Sequence, residues 1–381
     1  MSSLFPDYQA FQLLALELQH RLDSSFILLN KEYDPEPCCE ANSRRYFGFT
    51  KLFFEESSDW VWSLLARPSG GAAEGPSILT ESTRLSALER LPNELVDIIF
   101  DELSMDKRHA VGLALCSKYL WNLLIRRIRS QYLRSAAPWA GKKVLVLGSQ
   151  TSHLPPAFAE LETYNTLKLR NVKSPPSANH RSFRLFEELI QLDFSVPPIM
   201  HAQEAEWKKA IGLHLPRKPR NWLPDYSEIY EFGHLSIFCL FPQDRTWILR
   251  NLTVHKFVSS NYLTTHNLRY AGLHPYFTFH HILLSRICWS SIPDSIDRAL
   301  SYNNANIHHG IWAGHSFDIV TQEEHDETCG QEYWENASEE ALAHVVHIWR
   351  MATDHLPYFR RRYGRIKNRI SSSSKTVESE D

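Results

Sequence analysis

The chain has 381 residues, 43% hydrophobic and 22% charged, so it exceeds the ~100–200 residues of a typical single domain and lies far from the composition of disordered chains. Its 14 glycines exclude collagen-like and glycine-rich repeat architectures, and its formal net charge of -3 excludes a whole-chain positive field. Two or three folded units are expected, with no nucleic acid and no membrane among the partners. Asp7, Glu17 and Asp23 interrupt the apolar run that a signal peptide or spanning helix needs, which gives the expectation of a cytoplasmic and/or nuclear protein. The six cysteines, Cys38, Cys39, Cys116, Cys239, Cys288 and Cys329, form no CxxC pair and read as thiols in a reducing compartment.

In chain order, Phe11, Leu14, Leu18 and Leu22 recur every three or four residues between Tyr8 and Asn30, which predicts an amphipathic helix in need of a partner surface. Residues 1–66 are therefore expected to be an N-terminal helical region. The run RPSGGAAEGPS, Arg67 to Ser77, has little to bury and predicts a flexible linker over 67–82. Pro92, followed by Glu94 and Asp97, opens a helix with Leu91, Leu95, Ile98, Ile99 and Leu103 on one stripe. A second, unbroken helix is predicted from Ala110 to about Leu133, with Leu120, Leu124, Ile128 and Tyr132 opposite Arg126, Arg127 and Arg129.

These two helices carry a resemblance. LPNELVDIIFDEL followed by ALCSKYLW looks like an F-box, the small all-α module that docks on the Skp adaptor of cullin-based ubiquitin ligases. The likeness covers roughly residues 86–130. Leu91, Pro92, Glu94, Leu95, Ile98, Phe100, Leu103, Leu115 and Cys116 fall on the family's pattern, Tyr119 stands where tryptophan or phenylalanine is usual, and Ser117 replaces a basic residue. The resemblance implies an adaptor-binding surface of Leu91, Pro92, Glu94, Leu95, Ile98, Leu115, Cys116 and Tyr119. A unit of about 45 residues is close to the size at which a lone core becomes marginal, so a partner covering its apolar face is expected.

Beyond Pro138, the runs GKKVLVLG, LSIFCLF, TWILRNL, FTFHHILLSRICW and GIWAGHSFDIV are rich in β-branched and aromatic residues and predict strands. In the last, Ile311, Ala313, Phe317 and Ile319 alternate inward and Trp312, Ser316 and Asp318 outward. Ser338, Glu339 and Glu340 then start a helix burying Leu342, Val345, Val346 and Trp349. The expected fold class is α+β, with N-terminal helices and the F-box followed by a mixed, mainly antiparallel sheet domain with helices over 138–357. The serine-rich, acidic end, 370–381, is expected to be disordered. WAGKKVLVLGSQTSHLPPAF, TWILRNLTVHKFV, LLSRICWSS and GIWAGHSFDI also resemble, in order, a C-terminal domain that recurs in fungal F-box proteins and has no assigned chemistry.

Chemistry is hard to find in the sequence. VLVLGSQTSHLPP offers only Gly148 where a dinucleotide turn wants three glycines, and Pro155 and Pro156 oppose the helix that should follow. Glu340, His344 and His347 share a helix face, but that face lies opposite the apolar stripe and a metal needs converging ligands. His280, His281, His308, His309 and His315 are expected in strands or strand ends as structural histidines, and Cys288 as a buried thiol. No GxSxG, HExxH or P-loop pattern occurs. The basic run Arg360 to Arg369 reads either as a localisation or anion-binding patch or as a solvated helix end. The reading is a non-enzymatic substrate receptor of a Skp-cullin-F-box ligase, with Skp adaptor, cullin scaffold and an unknown protein substrate as partners, no cofactor and no metal. Two alternatives stay open: a stand-alone interaction module without ligase function, and an enzyme housed in the C-terminal domain.

Overall fold

The structure is a computed structural model. It describes residues 11–22, 49–54, 59–69, 87–103, 106–160, 185–186, 189, 194–197, 200–214, 240–242, 244–269, 277–291, 306–330 and 332–355. The expected linker from residue 70 onward, the basic run at 360–369, the tail at 370–381 and most of LSIFCLF lie outside these residues.

The fold is α+β and the chain divides into two compact units, one drawn from 1–66, 139–197 and 246–381, the other from 67–138 and 198–245. The first contains two sheets. In one, β1 (Phe11–Ala15) lies between β2 (His20–Arg21) and β4 (Leu145–Gly148), and β7 (Cys288–Trp289) runs parallel to β4 at the edge. The other has the order β3-β8-β5-β6-β9, with β3 at Lys142–Lys143, β5 at Trp247–Asn251, β6 at Lys256–Ser259, β8 at Ser316–Thr321 and β9 at Glu335–Asn336. All its pairings are antiparallel except β6 with β9.

The N-terminal expectation is corrected here. Phe11 to Ala15 form a strand paired antiparallel with β4, Phe11 opposite Gly148 and Leu14 opposite Leu145. The whole run from Phe11 to Leu16 is buried, so both faces of the strand are covered. Such a strand reads as a continuous apolar run without alternation, and the three-to-four spacing of its leucines is a by-product of that continuity. Helices α1 (Phe49–Phe54) and α2 (Asp59–Leu65) follow in the same unit, and Leu64 accepts a hydrogen bond from the Trp139 amide. The N-terminal segment is therefore part of the α+β unit and not a separate helical region.

The second unit holds α3 (Asn93–Leu103), α4 (Lys107–Ala114), α5 (Lys118–Ser135) and α6 (Met200–His214). The single long helix expected from Ala110 to Leu133 is two helices. Leu115 to Ser117 break it, and Ser117 caps α5 by accepting from the Leu120 amide at 3.2 Å. That cap gives Ser117 a structural role of its own. Helix α6 packs on α4 and α5, burying Met200, Trp207, Ala210 and Ile211, although residues 200–214 belong in sequence to the stretch expected as the C-terminal domain.

In the first unit, α7 (Ser260–Arg269), α8 (Phe279–Ile287), α9 (Gln322–Cys329) and α10 (Ser338–His355) pack about the sheets. FTFHHILLSRICW was expected as a strand, yet Phe279–Ile287 is helical and only Cys288 and Trp289 are extended. Every residue of α8 is buried, so no polar face marks its period. The Gly310 backbone passes so close to α8 that a Cβ there would meet the Arg286 carbonyl oxygen at 2.2 Å. Helix α10 starts at Ser338 and buries Leu342, Val345, Val346 and Trp349 as expected.

Candidate functional site

Helix α3 begins directly after Pro92, whose carbonyl accepts from the amides of Leu95 at 3.0 Å and Val96 at 3.2 Å. The turn before it closes through Leu91 N–H to the Leu88 carbonyl. From this start the helix turns Val96 and Phe100 into the unit's core, and leaves Leu95 47% and Ile98 56% exposed. The inward stripe therefore differs from the expected one. Val96 and Phe100 hold the fold, while Leu95 and Ile98, one turn apart, form a separate outward apolar face.

Of the other sequence-derived residues, Tyr119 is brought to that start. Pro92, Glu94 and Cys116 are exposed, and Leu91, Leu115 and Tyr119 are half-buried. The Tyr119 hydroxyl donates to Asn93 Oδ1 at 2.6 Å, which brings the first turns of α3 and α5 together. Cys116 donates its thiol to the Gly112 carbonyl at 3.4 Å. Ion pairing sets the other side of α3: Arg127 donates to the Asp97 carbonyl at 3.1 Å and pairs with Asp101. The basic side of α5 is partly covered: of its three arginines, Arg127 and Arg129 are half-buried and Arg126 is exposed. Asp106 caps α4 by accepting from the Arg108 amide at 2.9 Å, and the Arg108 hydrogen bonds hold its carboxyl down at about 2.

Behind this surface, α6 supplies what the sequence reading missed. Lys107 pairs with Glu206 and lies over the Trp207 ring at 5.3 Å, and Ser135 donates to Gln203 Oε1 at 3.4 Å. Burial, with the Glu204 charge nearby, raises the pKa of Tyr132. The helical unit therefore finds part of its covering surface within the chain, from residues some 70 positions later, and α3 keeps its outward face uncovered among the described residues.

The α+β unit places its polar groups differently. Arg250 on β5 sits directly opposite Asp318 on β8 and grips it with a fork, Nε to Oδ1 and Nη2 to Oδ2, both 2.8 Å. Asp318 was expected on an outward face, yet it is fully buried, so the sheet is covered on that side too. Burial opposes the Arg250 charge, and the Asp318 fork outweighs it, raising the pKa. Ile311, expected inward, is 63% exposed, and Trp312 is buried with the Arg286 guanidinium 4.6 Å from its ring centroid; both belong to a turn that precedes the strand.

His280, His281 and His315 have structural settings. His280 and His281 lie in α8, not in a strand, and both are buried. Trp60 donates to His280 Nδ1 at 2.7 Å and His280 Nε2 donates to the Leu52 carbonyl at 2.9 Å. Burial pushes His280 down to about 4 and His281 well below its ordinary value. His315 is 3.0 Å from the Asn251 amide nitrogen through Nδ1, and burial lowers its pKa. Glu340 pairs with Arg286 at 3.0 Å, and among the described residues no group of three histidine, cysteine, aspartate or glutamate side chains could hold a metal ion. Cys288 is buried, with its thiol donating to the Leu284 carbonyl.

Among the described residues no helix is long and apolar enough to cross a membrane. No family model, curated protein or solved structure matches the chain.

Proposed function

We propose that the chain is the substrate-receptor subunit of a Skp-cullin-F-box ubiquitin ligase, holding the Skp adaptor through the helical unit and a protein target through the α+β unit. The observation that carries this reading is the outward face of α3. Leu95 and Ile98 are exposed on a helix whose core contacts are already made by Val96 and Phe100, and Tyr119 is tied to the same helix start. Exposed apolar residues neighbouring on one helix face mark an interaction surface more than isolated ones do. The chemistry asked of the chain is proximity: the adaptor and cullin scaffold bring a ubiquitin-charged enzyme near the target's lysines, and no side chain of the receptor reacts.

The test is direct binding of the full chain to a purified Skp adaptor by calorimetry. A few apolar anchors carry most of an interface's energy, so truncating one should cost about 2 kcal/mol, or roughly thirtyfold in affinity. Leu95→Ala with Ile98→Ala should abolish binding at micromolar concentration. Ile311→Ala, the same kind of truncation at an exposed isoleucine of the α+β unit, should leave it unchanged. Absent binding by the wild type, or equal binding by the double variant, replaces this reading with that of an interaction module outside any ligase.

A further inference from the structure

The last turn of α9 brings a thiol into a cluster of chemically active side chains. Cys329 Sγ lies 3.2 Å from His325 Nδ1, one turn earlier on the same helix. His325 is buried, its ring held 4.9 Å from the Phe257 ring and edge-on to Trp334 at 5.3 Å. It cannot swing away from the sulfur without displacing both. The Arg250 guanidinium approaches the residue before it, Thr328. It is fixed there by its fork on Asp318, by Nη1 donating to Thr328 Oγ1 at 2.7 Å, and by the Trp334 face 5.8 Å away. The buried indole N–H of Trp334 has no hydrogen-bond partner among the described residues.

These parts have a shared chemical sense. A thiol reacts as a nucleophile after losing its proton, and a neighbouring imidazole that accepts the proton and a fixed cation beside the sulfur both favour that loss. Cys329 has the imidazole in contact and Arg250 bonded to its neighbour Thr328, and it is partly open to solvent. The other described thiols do not share the arrangement: Cys288 is buried against a carbonyl, and Cys116 is exposed with only the Gly112 carbonyl as its partner.

We propose that Cys329 is a peroxide-reactive modification site, with His325 as its proton acceptor and Arg250 as its fixed cation. In the step, His325 takes the thiol proton and the sulfur attacks one oxygen of a hydroperoxide. An S–O bond forms as the O–O bond breaks, and the departing oxygen takes the proton back from His325. For hydrogen peroxide the products are a sulfenic acid on Cys329 and one water, so the sulfur is oxidised as the peroxide is reduced.

The experiment treats the reduced full chain with hydrogen peroxide in the presence of dimedone and follows sulfenic-acid labelling peptide by peptide. Cys329 should label at least tenfold faster than Cys116, the more exposed thiol. His325→Asn should lower the Cys329 rate to that of Cys116 and leave Cys116 unchanged, with hydrogen exchange of β5 and β8 showing that the unit is intact. Equal rates in the wild type overturn the proposal whatever the variant does. A His325→Asn variant that keeps the full advantage of Cys329 overturns the role of the imidazole.

Discussion

Helices α3 and α8 are close in length and opposite in use. Helix α3 turns Val96 and Phe100 inward and leaves Leu95 and Ile98 in solvent, whereas α8 is buried along its whole length, with His280 fully hydrogen-bonded inside. The contrast extends to the units that hold them. The α+β unit takes charged and titratable groups into its interior and pairs them, as Arg250 with Asp318 and His280 with Trp60. The helical unit leaves apolar side chains on the surface beside a tied helix start. Buried polar groups cost stability unless every partner is present, so the first unit is committed to one arrangement by its own chain. At α3 the exposed Leu95 and Ile98 make no such internal commitment, as Ile311 makes none in the α+β unit.

The comparison breaks most readily at Asp318. Replacing it with alanine leaves the Arg250 charge buried without its fork, and removing one partner of a buried pair costs about 3–5 kcal/mol. Hydrogen exchange of the β5 and β8 amides should show that loss. Arg250→Met with Asp318→Leu should restore most of the protection, because volume-matched apolar residues remove both desolvation costs. A single Asp318→Ala variant with unchanged protection would mean the pair contributes nothing to the unit.

Acid is the next lever. Nδ1 of His280 accepts from Trp60 and Nε2 donates to Leu52, so a second ring proton would face the Trp60 N–H and lose that bond. The folded pKa is depressed from the ordinary 6.5 to about 4, so between those values the unfolded chain binds a proton that the folded chain refuses. Stability from this site is therefore complete above about pH 6.5 and falls toward pH 4, by at most about 1.4 kcal/mol per pH unit. His281, depressed in the same direction, adds to the fall. Constant protection of the α8 amides from pH 7 to pH 4 would contradict the assignment.

Legibility in the sequence follows the same division. Helices α3 and α10 could be read because apolar residues recur at helical spacing along them, and their first turns carry Pro92 or Ser338 with acidic residues behind them. Strands β4, β5 and β8 could be read from their apolar and β-branched runs. Where an element is buried all round, the period vanishes: β1 was expected as a helix and α8 as a strand for that one reason. The candidate face at Leu95, Ile98 and Tyr119 was visible as a motif, but which leucines point inward was not, since Val96 and Phe100 fix that only once α4 and α5 are packed. The Cys329 cluster left no local mark beyond His325 one turn before it. Its Arg250 arrives from 79 positions earlier through the β5 and β8 register.

The smallest expected effect bears most directly on function. Leu95 and Ile98 are about half exposed, so cutting either to alanine removes few core contacts, and alanine is the better helix former by a few tenths of a kcal/mol. Each substitution should change the stability of the helical unit by no more than about 0.5 kcal/mol, as is usual for surface positions. Phe100→Ala, one turn away and buried, sets the scale at about 3–5 kcal/mol. Thermal unfolding of the three variants separates the two faces of α3 within one helix. A loss above about 1.5 kcal/mol for Leu95→Ala or Ile98→Ala would place those side chains among the residues that hold the unit together, and the outward face would then be part of the fold and not a surface kept for a partner. A near-zero change, together with the loss of adaptor binding in the double variant, would assign the face to recognition alone.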